Sequence, residues 1–367
     1  MNKPLTMRQV VLTYLFISLS PVLRQIPTAL AGEAGRSGYL SPFWSALAIL
    51  PLASIILLLI KSYPGLNIYE IMVELLGKFI AKGVLILYIF WVLFFLSAKL
   101  NAYSLILQFT LMPKTKSNYF ILIMFALVYY ALYRGTRTIF RFAEFTLGPI
   151  IFLISIIFIC SIGNIRTDYL LPVTSNNLPA TIKASKSVIA VGGNLIIALF
   201  FADELAISIS NKQKRKFYFA TVGFVGISFL ITVFTFGITG PSLTATLPFP
   251  FYITVKSLSF FNVFERFEVI VTLLCVLSDF VTICIMFLLL MRLIQWLFDI
   301  VKREYLFLPL AVIVYYLTYL VSSTQFEYDF LYRYLIVNLN LVFQYLIPLI
   351  LGLLCLIKGN NMRKKQY

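Results

Sequence analysis

The sequence predicts an all-α integral membrane protein of about ten transmembrane helices, with helices 1 and 6 broken. Three observations lead there. First, 61% of the 367 residues are hydrophobic and only 12% are charged. No soluble domain of this size needs so much apolar material, and lipid admits only helices or closed barrels. Second, apolar stretches of about 20 residues, the length of one crossing, recur from end to end. Third, the first and sixth stretches contain residues that break helices. Interruptions at matching places in two halves point to a small-solute site near the bilayer midplane, as in inverted-repeat transporters.

The spans run over roughly 9–32, 42–60, 80–111, 118–133, 138–162, 186–210, 216–240, 263–291, 306–322 and 334–357. The first contains Ser18-Leu19-Ser20-Pro21, then Arg24 and Pro27. Proline lacks the helical donor and clashes with the preceding turn. In hydrocarbon the freed carbonyls need partners inside the protein or a wet cavity, and Ser18 and Ser20 can supply some. Bare backbone flanked by two half-helix dipoles suits the ammonium and carboxylate of an amino acid. An ordinary proline kink is the plainer alternative.

The third and eighth spans are long enough to require tilt or extension beyond the hydrocarbon, and the fourth is short. Lys99 sits in the middle of span three, with Asn101, Tyr103, Ser104 and Gln108 after it. An uncompensated lysine at that depth is expensive, so Lys99 is expected to face a carboxylate or a wet cavity. Span five contains Glu144 near Gly148-Pro149. Span six offers two breaks. Gly192-Gly193-Asn194 reads as a close-packing patch. Phe200-Phe201-Ala202-Asp203-Glu204 places two acids deep in an apolar run and is preferred as the unwound segment. Span eight opens on Glu265-Arg266-Phe267-Glu268, whose two glutamates share a helical face, and carries Asp279 further in. Lys99, Glu144, Glu265, Arg266, Glu268 and Asp279 read either as structural ion pairs or as a coupling proton or ion site.

The formal charge is +16, but the basic residues lie between apolar spans and form no long face, which argues against nucleic acid. With the N-terminus inside and about ten spans, the inside segments hold 19 Lys and Arg against 8 outside. That bias places both termini in the cytoplasm. The run Asn211 to Lys216 is the strongest single inside marker. Lys3 and Arg8, an apolar run and Ala29-Leu30-Ala31 imitate a signal peptide, but Arg24 and Pro27 interrupt its core and argue against cleavage. The segments at roughly 163–185 and 241–262 read as connections or as lids. Tyrosine and phenylalanine near span ends read as interfacial belts.

There is no histidine. The four cysteines (Cys160, Cys275, Cys284, Cys355) sit in apolar runs without CxxC spacing and read as packing residues. Neither a GxxxxGK[ST] loop nor a GxGxxG turn occurs. No nucleophile–base set or metal cluster stands out. An enzyme is therefore the least favoured class, and no cofactor or metal is expected.

Five motifs in order resemble one family. Thr6-Met7-Arg8-Gln9 resembles the S-x-R-Q start of the spore germination receptor B subunits, also called endospore germination permeases. Ala31 to Arg36 resembles their A-x-x-A-G-x-D/S end of span one. Tyr63-Pro64-Gly65 with Glu70 and Leu76-Gly77-Lys78 resembles their P-G-x-x-x-x-E…L-G-K loop. Gly135 to Glu144 resembles their G-x-x-x-x-x-R-x-x-E start of span five, and Phe264 to Glu268 their x-x-R-x-E opening of span eight. The resemblance covers essentially the whole chain.

It implies the amino acid–polyamine–organocation superfamily with a five-plus-five inverted repeat, here repeat one over about 9–162 and repeat two over about 186–322, with extra helices to 357. It implies the inner membrane of a bacterial endospore and partnership with an A subunit and a lipoprotein C subunit. It implies a pocket lined by Ser18, Leu19, Ser20 and Pro21, by Phe200, Phe201, Ala202, Asp203 and Glu204, and by spans three and eight, with Tyr103 among the contributors. Where the family has Gly-aromatic-Glu in span six, this chain has Ala202-Asp203-Glu204. The added acid favours a cationic or polyol ligand, provided Asp203 faces the pocket. The expected role is a nutrient-sensing, permease-like subunit that binds an amino acid or similar small nutrient. The alternative is a proton- or sodium-coupled amino acid transporter.

Overall fold

In a computed structural model, which describes residues 4–171, 177–205, 210–258, 267–322 and 324–364, the first apolar stretch forms two helices. Helix α1 (Met7–Arg24) starts from a capping box between Thr6 and Gln9. Helix α2 (Ile26–Ala34) follows after Gln25, whose φ of −99° departs from the helical value. Pro27 sits in the first turn of α2, where proline is tolerated. It offers no N–H to Leu23, so the ladder stops there. The gap thus lies a turn later than Ser18 to Pro21, which remain helical.

The ladder is nonetheless modified beside Pro21. Ser278 Oγ accepts from the Ser20 N–H at 3.2 Å and donates to the Phe16 carbonyl at 2.7 Å. Those two backbone groups are helical partners four residues apart, so the hydroxyl of a distant helix is inserted between them. Ser278→Ala removes that bridge from a buried site. A loss of about 1–2 kcal/mol is expected, measurable as a lower midpoint of thermal unfolding in detergent.

Helix α3 (Ser41–Ser62) is followed by α4 (Ile68–Leu76), capped by a box between Asn67 and Glu70. Then come α5 (Lys78–Thr110), α6 (Ser117–Tyr133) and α7 (Thr136–Ser161). The sixth pass runs as α8 (Leu178–Gly192), a 3-10 turn over Gly193–Ile196, α9 (Ile197–Phe200) and a last 3-10 turn over Ala202–Glu204. It therefore spans 178–200, earlier than the sequence reading of 186–210, because Lys183 and Lys186 lie on its first turns. After α10 (Asn211–Thr239), the short helices α11 (Pro241–Thr244) and α12 (Pro250–Lys256) precede α13 (Glu268–Phe298) and α14 (Phe307–Val321). The last pass is α15 (Gln325–Leu331), α16 (Val337–Leu341) and α17 (Ile347–Lys364), joined by π-helical turns over Tyr332–Ile336 and Val342–Leu346.

Among the described residues, eight helical runs are long and apolar enough to cross a membrane, and α6 is a shorter apolar helix. With α1–α2 as the first pass, α3 the second and α6 the fourth, the described residues form ten passes. The sixth and eighth are each 78% buried over their most apolar window, against 22% for the ninth, and α1 is buried at all but Arg8, Leu12 and Leu15. A helix that is apolar all round and buried belongs at the centre of the bundle. Helix α1 packs on α7, α10 and α13, and α5 packs on α13 and α14. The sixth pass packs instead on α2, α3 and α16, and α8 and α9 both touch α1, so the two broken passes meet each other.

Candidate functional site

Burial decides the charges first. Asp279, on α13, is wholly buried, and a lone carboxylate there is costly. Arg24 Nη1 lies 2.8 Å from Asp279 Oδ2, and Lys99 Nζ lies 3.3 Å from Oδ1. Arg24 also donates to the Ala102 carbonyl at 3.3 Å. Spans one, three and eight therefore meet at one carboxylate. Two cations on one acid sum to a formal charge of +1. Asp329, on α15, lies within electrostatic reach of Arg24 and is flanked by Arg333, so the wider neighbourhood keeps the same sign.

Beside this triad is an enclosed cavity lined by Pro21, Gln25, Lys99, Asn194, Tyr328 and Asn340 among others. Its walls come from spans one, three, six and ten. Free room for a water-sized sphere is about 20 Å³, enough for a water or two. A solute of amino-acid size enters only when lining side chains give way. Trp91 Nε1 donates to Asn340 Oδ1 at 3.0 Å, and Gln344 Nε2 to Asn194 Oδ1 at 3.2 Å. With both carboxamide oxygens engaged, their NH2 groups are the donors left for a solute. Tyr328 and Tyr332 stack with ring centroids 6.4 Å apart. The Tyr332 hydroxyl and Arg24 Nε have no hydrogen-bond partner among the described residues. π-turns recur at functional sites because they shift side chains off the regular helical register, and here one of them carries Tyr332 and Ile336 into the wall.

Asn194 reaches the cavity because the α-helix gives way at Gly193. A Cβ on Gly192 would collide with Ile49, and one on Gly193 with Gln344 and Tyr345. The glycine pair thus serves close packing and also marks the change to 3-10 geometry. Gly193→Ala forces the tenth pass outward. We expect a loss of about 1–3 kcal/mol, read as a drop in unfolding midpoint together with weaker ligand response.

The residues singled out from sequence fall into separate places. Pro21 and Lys99 line the cavity. Ser18, Leu19 and Ser20 are buried on α1 but are not in its wall. Tyr103 is nearly buried and within electrostatic reach of Asp279. Phe200 packs edge-on against Tyr88, with centroids 5.3 Å apart. Phe201 lies under the Arg292 guanidinium, 4.5 Å from ring centroid to carbon. Ala202 is buried beside them.

Asp203 and Glu204 require a correction. They lie not deep in the apolar run but just past it, on the last 3-10 turn after the Leu178–Phe200 pass. There Arg292, at the end of α13, pairs with Asp203 at 3.2 Å and with Glu204. Arg292 also donates to the Phe200 carbonyl. Both acids are partly exposed, and Leu205 pairs with Leu5 of the chain start. With Asp203 turned to Arg292, the cationic or polyol ligand loses its support. Glu144 pairs with Arg8 at 3.0 Å, far along the chain from the triad. Glu268 begins α13. Glu265 and Arg266 lie outside the described residues.

Sequence reasoning missed the tenth pass as a wall, and Arg292 as the partner of both acids. Asn340 and Gln344, four apart in an apolar run, were the available signal. Polar side chains at that spacing share a helix face.

Residues 5–326 match the family described as spore germination protein. No curated protein matches in sequence. Among solved structures, the fold resembles Mhp1, a nucleobase-cation-symport-1 family transporter in a closed conformation with bromovinylhydantoin bound. The TM-score is 0.61 at 12% identity, covering 90% of this chain and 75% of that one. At that identity the likeness speaks for the fold. It is the inverted-repeat fold in which the first and sixth passes break beside a central site. Family and fold together indicate a permease-like membrane protein rather than an enzyme. With a match that runs over most of its length, this chain belongs to the spore germination protein family.

Proposed function

We propose that the chain is the nutrient-sensing, permease-like subunit of a spore germination receptor, with the cavity between spans one, three, six and ten as its ligand site. The observation that carries this is the cavity, with Gln25, Lys99, Asn194 and Asn340 in its wall, at the point where both interrupted passes meet a buried charge triad. The excess positive charge and the free amide donors favour a solute with a carboxylate, such as an amino acid. Binding would favour one of two packings of the bundle and so signal to partner A and C subunits. The setting is the spore inner membrane, with both termini on the cytoplasmic side in keeping with the Lys and Arg bias.

A second reading, cation-coupled transport, draws on the likeness to Mhp1 and on Lys99, whose ammonium is a buried charge that can change protonation. Thermal shift of the detergent-purified protein with amino acids, sugars and nucleosides, followed by uptake of any hit in proteoliposomes, separates the two. Stabilisation without uptake supports the receptor. Gradient-driven uptake supports the transporter, and no stabilisation by any solute contradicts both.

A further inference from the structure

A second feature lies outside the bundle core, at the end of the molecule where the chain starts. A groove of about 780 Å³ runs between α1 and α10. Its floor on α1 is Val11, Leu12 and Leu15, and on α10 it is Phe219, Ala220 and Gly223. Its mouth is Arg8, Arg215 and Lys216. The spacing follows from helix geometry. Arg8, Leu12 and Leu15 share one stripe of α1, and Arg215, Phe219 and Gly223 one stripe of α10. Each stripe descends about 10 Å from its basic end, roughly a third of the hydrocarbon layer.

The mouth is strongly cationic. Arg8 spends one nitrogen on Glu144 and keeps 65% of its side chain exposed. Among the described residues neither Arg215 nor Lys216 forms an ion pair, and the acids at this end, Asp203 and Glu204, are engaged by Arg292. Phe219, on an apolar helix of crossing length, is 78% exposed. A basic mouth above an apolar cleft that opens sideways matches a molecule with an anionic head and a hydrocarbon tail. A free inorganic anion would use the mouth and leave the apolar floor without a partner.

We propose that this groove binds one anionic phospholipid, with the phosphate held by Arg8, Arg215 and Lys216 and one acyl chain lying along Leu12, Leu15 and Gly223. Basic pockets between membrane helices recognise anionic head groups in this way. The site is independent of the central cavity. Its occupant would brace α1, the first half of the broken pass, against α10.

Native mass spectrometry of the full chain in detergent tests this, with phosphatidylglycerol and phosphatidylcholine of identical acyl chains as probes. The expected result is one phosphatidylglycerol retained under activation that strips phosphatidylcholine. Arg215→Gln with Lys216→Gln should weaken phosphatidylglycerol binding roughly tenfold or more. Gly223→Leu should block both lipids, because a Cβ there meets nothing within 4 Å and the larger side chain fills the groove without disturbing the fold. Equal retention of both lipids overturns the proposal. So does unchanged phosphatidylglycerol binding in either variant. Equal competition by inorganic phosphate would mark a plain anion site, and blockage of the groove by a co-purifying protein helix would mark a partner surface. Either result also overturns it.

Discussion

Asp279→Asn should destabilise the protein far more than Lys99→Met. Asp279 is the single acid shared by Arg24 and Lys99. Removing its charge leaves two buried cations without compensation, and breaking a buried pair in this way costs about 3–5 kcal/mol. Replacing Lys99 by methionine instead leaves a neutral Arg24–Asp279 pair and an apolar stem of similar length, a change that is near neutral or even stabilising. Arg24→Gln should fall between, since Lys99 still faces the acid but the donation to Ala102 is lost. Thermal unfolding midpoints of the three variants, in one detergent, give the ranking directly. Equal losses for Asp279→Asn and Lys99→Met would show that the cluster does not carry an excess positive charge. Ligand response should be lost with Lys99→Met even where stability is kept, because Lys99 lines the cavity.

Arg292→Gln should loosen the Ala202–Glu204 end of the sixth pass. Arg292 is nearly buried and holds Asp203, Glu204, the Phe200 carbonyl and the face of Phe201. Without it two neighbouring carboxylates repel at the end of a helix whose α geometry has already failed at Gly193. The acids are part-exposed and screened, so the stability loss should be about 2 kcal/mol, below that of a fully buried pair. The larger effect is on access. A cysteine introduced at Ala98, in the cavity wall, should react roughly tenfold faster with a membrane-impermeant maleimide in the Arg292→Gln background, a shift worth about 1.4 kcal/mol in the open population. Peptide mass spectrometry separates that label from Cys160 and the other native cysteines. An unchanged rate would mean that the clasp has no part in closing the cavity.

The bundle was legible in the sequence because lipid leaves so few alternatives. Apolar runs of crossing length must be helices, but the breaks fall at Gln25-Ile26-Pro27 and at Gly193–Ile196, whereas the sequence favours Ser18 to Pro21 and Phe200 to Glu204 and reads the glycine pair as packing. The position of the first gap was not legible. Pro21 was the more conspicuous breaker, but the Ser278 hydroxyl satisfies the ladder beside it and keeps it helical. That contact joins residues 258 positions apart, which periodicity cannot see. The depth of Asp203 and Glu204 was misjudged for a similar reason. The apolar run reads on to Ile209 when the pass begins at 186, whereas the helix starts at Leu178, eight residues earlier. Lys99 and Asp279 could be named as buried charges, but which groups pair depends on how α1, α5 and α13 face one another. The tenth pass is evident as an apolar run, but its place in the cavity wall depends on two π-turns that leave no sequence signature and on which face Asn340 and Gln344 present.

The central claim is that a nutrient binds in the cavity between spans one, three, six and ten. Asn340→Ala removes a polar donor from its wall, and Ala98→Leu fills space there; both side chains lie in that wall. The direct measurement is thermal stabilisation by the best amino acid of a solute panel, compared between the unaltered chain and these two variants. The account predicts a dose-dependent rise in midpoint for the unaltered chain, and a response weakened at least tenfold in both variants, each measured from its own baseline, which the orphaned Trp91 N–H or the added side chain lowers by about 1–3 kcal/mol. Full response in both variants would place the ligand elsewhere and contradict the account.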